Sequence, residues 1–145
     1  MNVSRARSIH AGAEALWEVM VDPDHLPRWW PGVARVEDVS PGAWTKVLRA
    51  PKAGKAVRAD YSLVESEPLE RLIWRHEVEE TPFERLMTDA VYEFELRPDD
   101  GSTRVKLTAR LKLRGLSRLG GLQVRRATAK RLEEALDGLA TVVEP

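Results

Sequence analysis

Asp100-Gly101 constrains this chain more than any other pair, because it stands between two long alternating runs, Arg85 to Arg97 and Thr103 to Arg114, that pair well in one register. Asp-Gly at the centre of a two-residue type I′ turn is a strong short-range hairpin signal. Counting outward, Asp99 faces Ser102, and Leu96, Phe94, Tyr92 and Ala90 meet Val105, Leu107, Ala109 and Leu111 on one face. The other face sets Glu95 against Lys106 and Asp89 against Lys112. Such cross-strand pairs contribute roughly 0.2–1 kcal/mol each, and a one-residue slip exchanges the faces and loses both sets. The result is a long antiparallel hairpin with one apolar face that something must cover.

The remaining segments supply more strands and a cover. Asn2 to His10, Val33 to Val39, Trp44 to Ala50, Val57 to Glu65 and Arg71 to Glu79 read as strands separated by Pro and Gly turn signals, which makes seven in all. The first is expected at a sheet edge, since Arg5 and Arg7 interrupt the face that Val3 and Ile9 share. Charge pairing over the hairpin around Pro68 predicts Arg75 opposite Asp60 and Glu77 opposite Arg58. Its inner face then pairs Leu72 with Leu63, Trp74 with Tyr61 and His76 with Ala59. Pro is poorly placed at the second corner of a tight turn, so a connection longer than two residues is expected there.

Helical spacing occurs twice. Ala13, Leu16, Trp17 and Met20 form a short stripe stopped by Asp22-Pro23, and a second short helix is expected from Pro23 to Trp30. From Leu116 to Val143 the 3.6-residue period returns, with Leu122, Arg126, Ala129, Leu132, Leu136, Leu139 or Ala140, and Val143 as the inner stripe. This last helix is the natural cover for the sheet.

The 145 residues contain no Cys and carry 23 basic against 23 acidic side chains, which suits one domain over 1–145 that needs no disulfides. No run of eighteen apolar residues and no signal-peptide pattern is present, so no transmembrane segment is expected and a cytoplasmic location is. Ten basic residues and no acid lie between Gly101 and Leu132. Lys106 and Lys112 already face acids, and a neutral chain is unlike a nucleic-acid domain. The group from Arg114 to Arg131 therefore reads as a solvated face, with an acidic ligand tail near Arg125 or Arg126 as the functional alternative.

The order strand, two small helices, six strands and a long final helix resembles the helix-grip fold of the SRPBCC superfamily, also called START or Bet v1-like. Asp22, Pro23, Pro27, Trp29 and Trp30 stand where that family carries an acid-containing turn running into Pro and Trp. Within it, the chain is most similar to polyketide cyclase/dehydrase-type members. The resemblance implies an α+β, seven-stranded curved antiparallel sheet gripping a long C-terminal helix, and a small hydrophobic ligand, aromatic, lipid or polyketide-like, between them. Two alternatives stay open: a cofactor-independent cyclase or dehydratase, and a cochaperone-like interaction module whose cavity is filled by side chains. A homodimer is compatible with either.

His10, His25 and His76 have no short ligand spacing, and no phosphate loop or dinucleotide fingerprint exists, so neither a metal nor a cofactor is expected. Tyr61, His76 and Tyr92, with Thr88 as a smaller fourth, fall on the inner sheet face. An imidazole and two phenols around an apolar cavity can exchange protons with an enolisable carbonyl, which makes His76, Tyr61 and Tyr92 the catalytic candidates; the same rings can simply pack. Trp29 and Trp30 are expected at the cavity mouth, one inward and one partly exposed, and Trp74 on the inner face. Leu132 and Leu136 should line the cavity from the helix side.

Overall fold

The computed structural model describes residues 1–49, 57–79, 81–115 and 120–145. In chain order the elements are β1 (Asn2–Ile9), α1 (Ala13–Val21), a 3₁₀ turn (Pro23–His25), α2 (Leu26–Trp29), β2 (Val33–Ser40) and β3 (Ala43–Leu48). Then follow β4 (Val57–Glu67), β5 (Arg71–His76), a 3₁₀ turn (Pro82–Arg85), β6 (Met87–Asp99), β7 (Ser102–Leu113) and α3 (Gly121–Val143). The sheet is antiparallel with strand order β1-β7-β6-β5-β4-β3-β2, so β1 is an edge strand as its broken alternation implied. Ala50 and the Pro51 and Gly54 turn signals, like Leu116 to Leu119 before α3, lie outside the described residues.

The β6–β7 hairpin has the register read from its turn: Asp99 faces Ser102, Glu95 faces Lys106, Tyr92 faces Ala109 and Asp89 faces Lys112. Asp100 and Gly101 both hold positive φ, 50° and 87°, as a type I′ turn requires. Two details at its far end differ from the sequence reading. The strand starts at Met87, because Pro82–Arg85 closes into a 3₁₀ turn whose Phe83 N–H donates to the Thr81 hydroxyl at 3.2 Å. A bulge between Met87 and Asp89 then leaves Thr88 exposed instead of on the inner face.

The β4–β5 register is corrected by two residues: Tyr61 faces His76, Ser62 faces Arg75 and Leu63 faces Trp74. An even slip keeps every side chain on its face, so Tyr61, Trp74 and His76 remain inside. The cause is the turn. Glu70 N–H donates to Glu67 O at 3.0 Å with Leu69 at φ 66°, which puts Pro68 at the first corner, where its fixed φ fits. The ladder can then run to the Glu67–Arg71 pair, with a bulge between Leu63 and Glu65 taking up the extra residue. Arg75 consequently pairs with Asp89 on β6 at 3.4 Å instead of meeting Asp60.

Helix α3 lies against β1, β7 and α2. It buries Ala129, Leu132, Leu136, Leu139 and Ala140 of the stripe that the period predicted, with Ala135 in addition, while Val143 is half-buried. Leu122 is 63% exposed and Arg126 is also exposed, so the first turns overhang the sheet and the inner stripe begins later than expected. Arg5 and Arg7 of β1 reach the helix flank, pairing with Glu133 at 2.9 Å and Asp137 at 2.5 Å. At Gly138 a Cβ would fall 2.3 Å from the Trp29 carbonyl oxygen, so only glycine lets α2 approach this closely. That approach drives both Trp29 and Trp30 inward, 3% and 4% exposed, where the sequence suggested that one would face solvent. Among the described residues no helix is long and apolar enough to cross a membrane.

Candidate functional site

The concave side does not hold one continuous cavity. Trp29, Trp30, Trp74 and Phe94 meet at its centre with ring centroids 4.7–6.2 Å apart, mostly edge to face or tilted, and fill it. Space remains at the two ends. At the α1 end a cleft of about 340 Å³ runs between Asp22, Pro41, Trp44, Leu72 and Trp74. At the other end a cavity of about 190 Å³ is bounded by Trp30, Ala59, Tyr61, His76, Tyr92 and Arg131. Met87, Tyr92 and Arg131 separate the latter from a neighbouring space of about 210 Å³ that continues along β7 and α3. The first is larger, but the polar chemistry converges on the second.

Alternation places that chemistry. Tyr61 on β4, His76 on β5 and Tyr92 on β6 all point inward and are each 6% exposed. The Tyr61 and Tyr92 phenols and the Arg131 guanidinium lie close enough together to act on one another's ionisation. Burial pushes the Tyr61 phenol well above its usual value, with Tyr92 beside it adding to the effect, and burial also raises Tyr92. Both phenols are thus proton donors at neutral pH. The His76 ring stacks on Tyr61, centroids 4.8 Å apart at 13°, and Phe83 closes its other side at 4.6 Å. Burial, with lesser repulsion from Lys46 and Arg131 and a partial offset from Asp60, lowers the imidazole to about 4. It is neutral at pH 7, and its Nε2 has no partner among the described residues.

Behind this wall lies a residue that the sequence reading passed over. Lys46 of β3 is fully buried, faces Ala59 across the ladder, and has no hydrogen-bond partner for Nζ among the described residues. Its amine sits among rings, 3.9 Å from the Tyr61 centroid, 4.0 Å from Trp30 and 4.8 Å from Trp74. Ring quadrupoles favour an ammonium by about 2 kcal/mol or more when desolvated. Taking an ion out of water costs several kcal/mol even after relaxation. Desolvation wins, Arg131 opposes the charge further, and the amine is held well below its ordinary value.

The sequence candidates therefore divide. Trp30, Tyr61, His76 and Tyr92 are brought together around one cavity. Trp74 contributes to the amine's cage and lines the far cleft, while Trp29 packs in the central cluster. Leu132 and Leu136 are 0% and 2% exposed and serve the core, so the helix wall is supplied by Arg131. Thr88 faces outward. Lys46 could have been found from parity alone, since it shares a strand face with Trp44 and Leu48. Arg131 was hidden in a basic run that reads as solvated.

A seven-stranded curved sheet gripping a long terminal helix, with a polar-tipped apolar cavity between them, defines the helix-grip class of START and Bet v1-like domains. Residues 1–144 match the family model described as polyketide cyclase / dehydrase and lipid transport, and the chain belongs to that family. Solved structures with the same fold include the Zhui aromatase/cyclase from Streptomyces sp. R1128, at TM-score 0.75 and 16% identity over 97% of this chain and 92% of that one. A START superfamily protein from Mycobacterium smegmatis aligns at TM-score 0.76 and 15% identity over 99% and 97%. A protein from Thermus thermophilus aligns at 0.76 and 22% over 97% and 95%. No curated protein matches the sequence.

Proposed function

We propose that the protein binds a small apolar molecule, one aromatic ring in size, in the cavity beneath Trp30, with a ligand oxygen turned toward Tyr92 and Arg131. The observation that carries this reading is the meeting of apolar walls with five polar groups, Arg49, Arg131, Tyr92, Tyr61 and His76, around one space. An apolar cavity of roughly 150 Å³ accepts benzene, so about 190 Å³ suits a single ring. Larger ligands, in the roughly 300–1,000 Å³ range of ordinary sites, require Met87 to move and join the two spaces, and its unbranched thioether adapts easily. Membership of the polyketide cyclase, dehydrase and lipid transport family supports a ligand of this character.

Titration with toluene and with phenol, followed by Trp emission, tests the proposal. Both should give saturable changes, because Trp30 lines the cavity and Trp74 lies against Trp30. Tyr92→Phe should weaken phenol about 2- to 10-fold, the equivalent of one hydrogen bond, and leave toluene unchanged. Tyr61→Ala should weaken both. Absence of any saturable response to either ligand in the folded protein overturns the reading and favours an interaction module.

The unpartnered Nε2 of His76 favours a second reading, proton transfer to or from an enolisable carbonyl held by the same groups. His76→Ala should then impair turnover of such a compound more than its binding. If both are unchanged, the enzyme reading is removed and the carrier reading stands.

A further inference from the structure

Among the described residues, no hydrogen bond or ion pair offsets the burial of the Lys46 amine. Met or Leu would fill the same volume without a polar atom, yet β3 places a primary amine there with no carboxylate or carbonyl bonded to it among the described residues. The groups that face it are Tyr61 from β4, Trp74 from β5 and Trp30 from the end of α2, with the charge of Arg131 on α3 and the imidazole of His76 close enough to act on it electrostatically. An amine desolvated among rings beside another cation is the environment that makes lysine a nucleophile at neutral pH. Trp30, Tyr61 and Ala59, which touch or face Lys46, also line the cavity. The amine thus lies directly behind the wall that a ligand would press against.

We infer that Lys46 is a covalent site: its Nζ condenses with the carbonyl carbon of an apolar aldehyde or ketone admitted to the cavity, forming an imine. This rests on the reading that the cavity accepts a small apolar ligand. The nitrogen lone pair forms the C–N bond while the carbonyl π pair moves to oxygen. One proton passes from nitrogen to that oxygen, giving a carbinolamine. Tyr61, whose ring touches the amine and whose hydroxyl stays protonated, donates to the departing oxygen, the C–O bond breaks, and water leaves with the second nitrogen proton returning through the phenol. Amine plus carbonyl becomes imine plus water, with no oxidant or further reactant. When the imine is protonated, its cation occupies the same ring cage. Trp30 must swing aside to admit the carbonyl; it ends α2 immediately before Pro31 and Gly32, whose φ of 79° marks a sharp change of chain direction.

The test is to incubate the full-length protein with benzaldehyde and sodium cyanoborohydride, then read intact mass and map the modified peptide. The expected product carries one added group with the mass of benzaldehyde less one oxygen, on Lys46. At pH 7 only about one ordinary lysine in two thousand is unprotonated. Lys46 should therefore be labelled at least about a hundred-fold faster than the exposed lysines. Its rate should rise with pH less steeply than theirs, which climbs about tenfold per unit between pH 7 and 9. Lys46→Met should lose the adduct and keep the toluene-dependent Trp emission. Tyr61→Phe, which keeps the ring, should label several-fold more slowly. Labelling confined to exposed lysines while benzaldehyde still changes Trp emission overturns the inference and leaves the binding reading intact. Loss of the emission change with both benzaldehyde and toluene overturns both.

Discussion

The two halves of the concave side use burial differently. Under α3, Leu132, Leu136, Leu139 and small alanines share one core with Val3 of β1 and with Leu107 and Ala109 of β7, all nearly inaccessible and without side-chain polar atoms. Under α2 and the Pro31–Gly32 turn, β3, β4 and β5 bury Trp44, Lys46, Tyr61, Trp74 and His76, and among the described residues the unpartnered buried side-chain atoms all belong to this side: Trp29 Nε1, Trp44 Nε1, Lys46 Nζ and His76 Nε2. Buried polar groups normally find partners because an orphan costs about 1–3 kcal/mol. One half is arranged to be stable, and the other retains destabilising groups that a ligand could satisfy. The contrast singles out the β3–β5 side, which borders both the cavity at Tyr61 and His76 and the larger cleft at Trp44 and Trp74.

The largest effect that tests the contrast is truncation in the first half. Leu136→Ala should destabilise the domain by about 2–5 kcal/mol, the usual cost of removing a buried Leu side chain that neighbours cannot replace. Denaturant unfolding measures it. A loss below about 0.5 kcal/mol, typical of surface positions, would mean that α3 does not cover the sheet as described.

In the second half the sensitive variable is pH. An imidazole at about 4 in the fold and about 6.5 when unfolded binds protons preferentially in the unfolded chain between those values. The titration of His76 therefore adds nothing above pH 6.5 and destabilises progressively as the pH falls to 4, by about 3 kcal/mol in total. His76→Phe, which keeps a ring against Tyr61, should remove that slope, so the difference in unfolding free energy between variant and wild type should grow in the variant's favour over this interval. A parallel pair of curves would show that His76 is solvated in the fold and that the second half is not as dry as its orphans suggest.

The same contrast explains what the amino-acid sequence discloses. The β6–β7 hairpin was legible because turn chemistry, apolar alternation and charge pairing agree there, and the final helix because its period runs uninterrupted from Ala129 to Ala140. The β4–β5 register was misread by two residues, since the charge pattern pointed to Asp60 and Arg75 while the turn at Pro68 allowed the strands to zip further. Faces survived the slip, which is why Tyr61 and His76 were still placed inside. Thr88 was lost to a bulge, which alternation does not reveal. Lys46 went unnoticed because charge is read as a sign of exposure, and its parity with Trp44 was the only contrary signal.

The smallest effect comes from the joint between the halves. Gly138 sits in the middle of α3, where Ala would ordinarily stabilise a helix by about 1 kcal/mol. Here the added methyl would stand 2.3 Å from the Trp29 oxygen and 2.9 Å from its Cα, both backbone atoms that cannot rotate away. Gly138→Ala should therefore destabilise, by about 1–3 kcal/mol, as overpacking does elsewhere. The displacement required is of α2, which carries Trp29 and Trp30 into the aromatic cluster and over the Lys46 amine. The variant should thus shift Trp emission as well as the unfolding midpoint, coupling the dry half to the polar one. If Gly138→Ala stabilises the protein with emission unchanged, α2 is not clamped by α3, and the ring that covers Lys46 is held in place by the sheet alone.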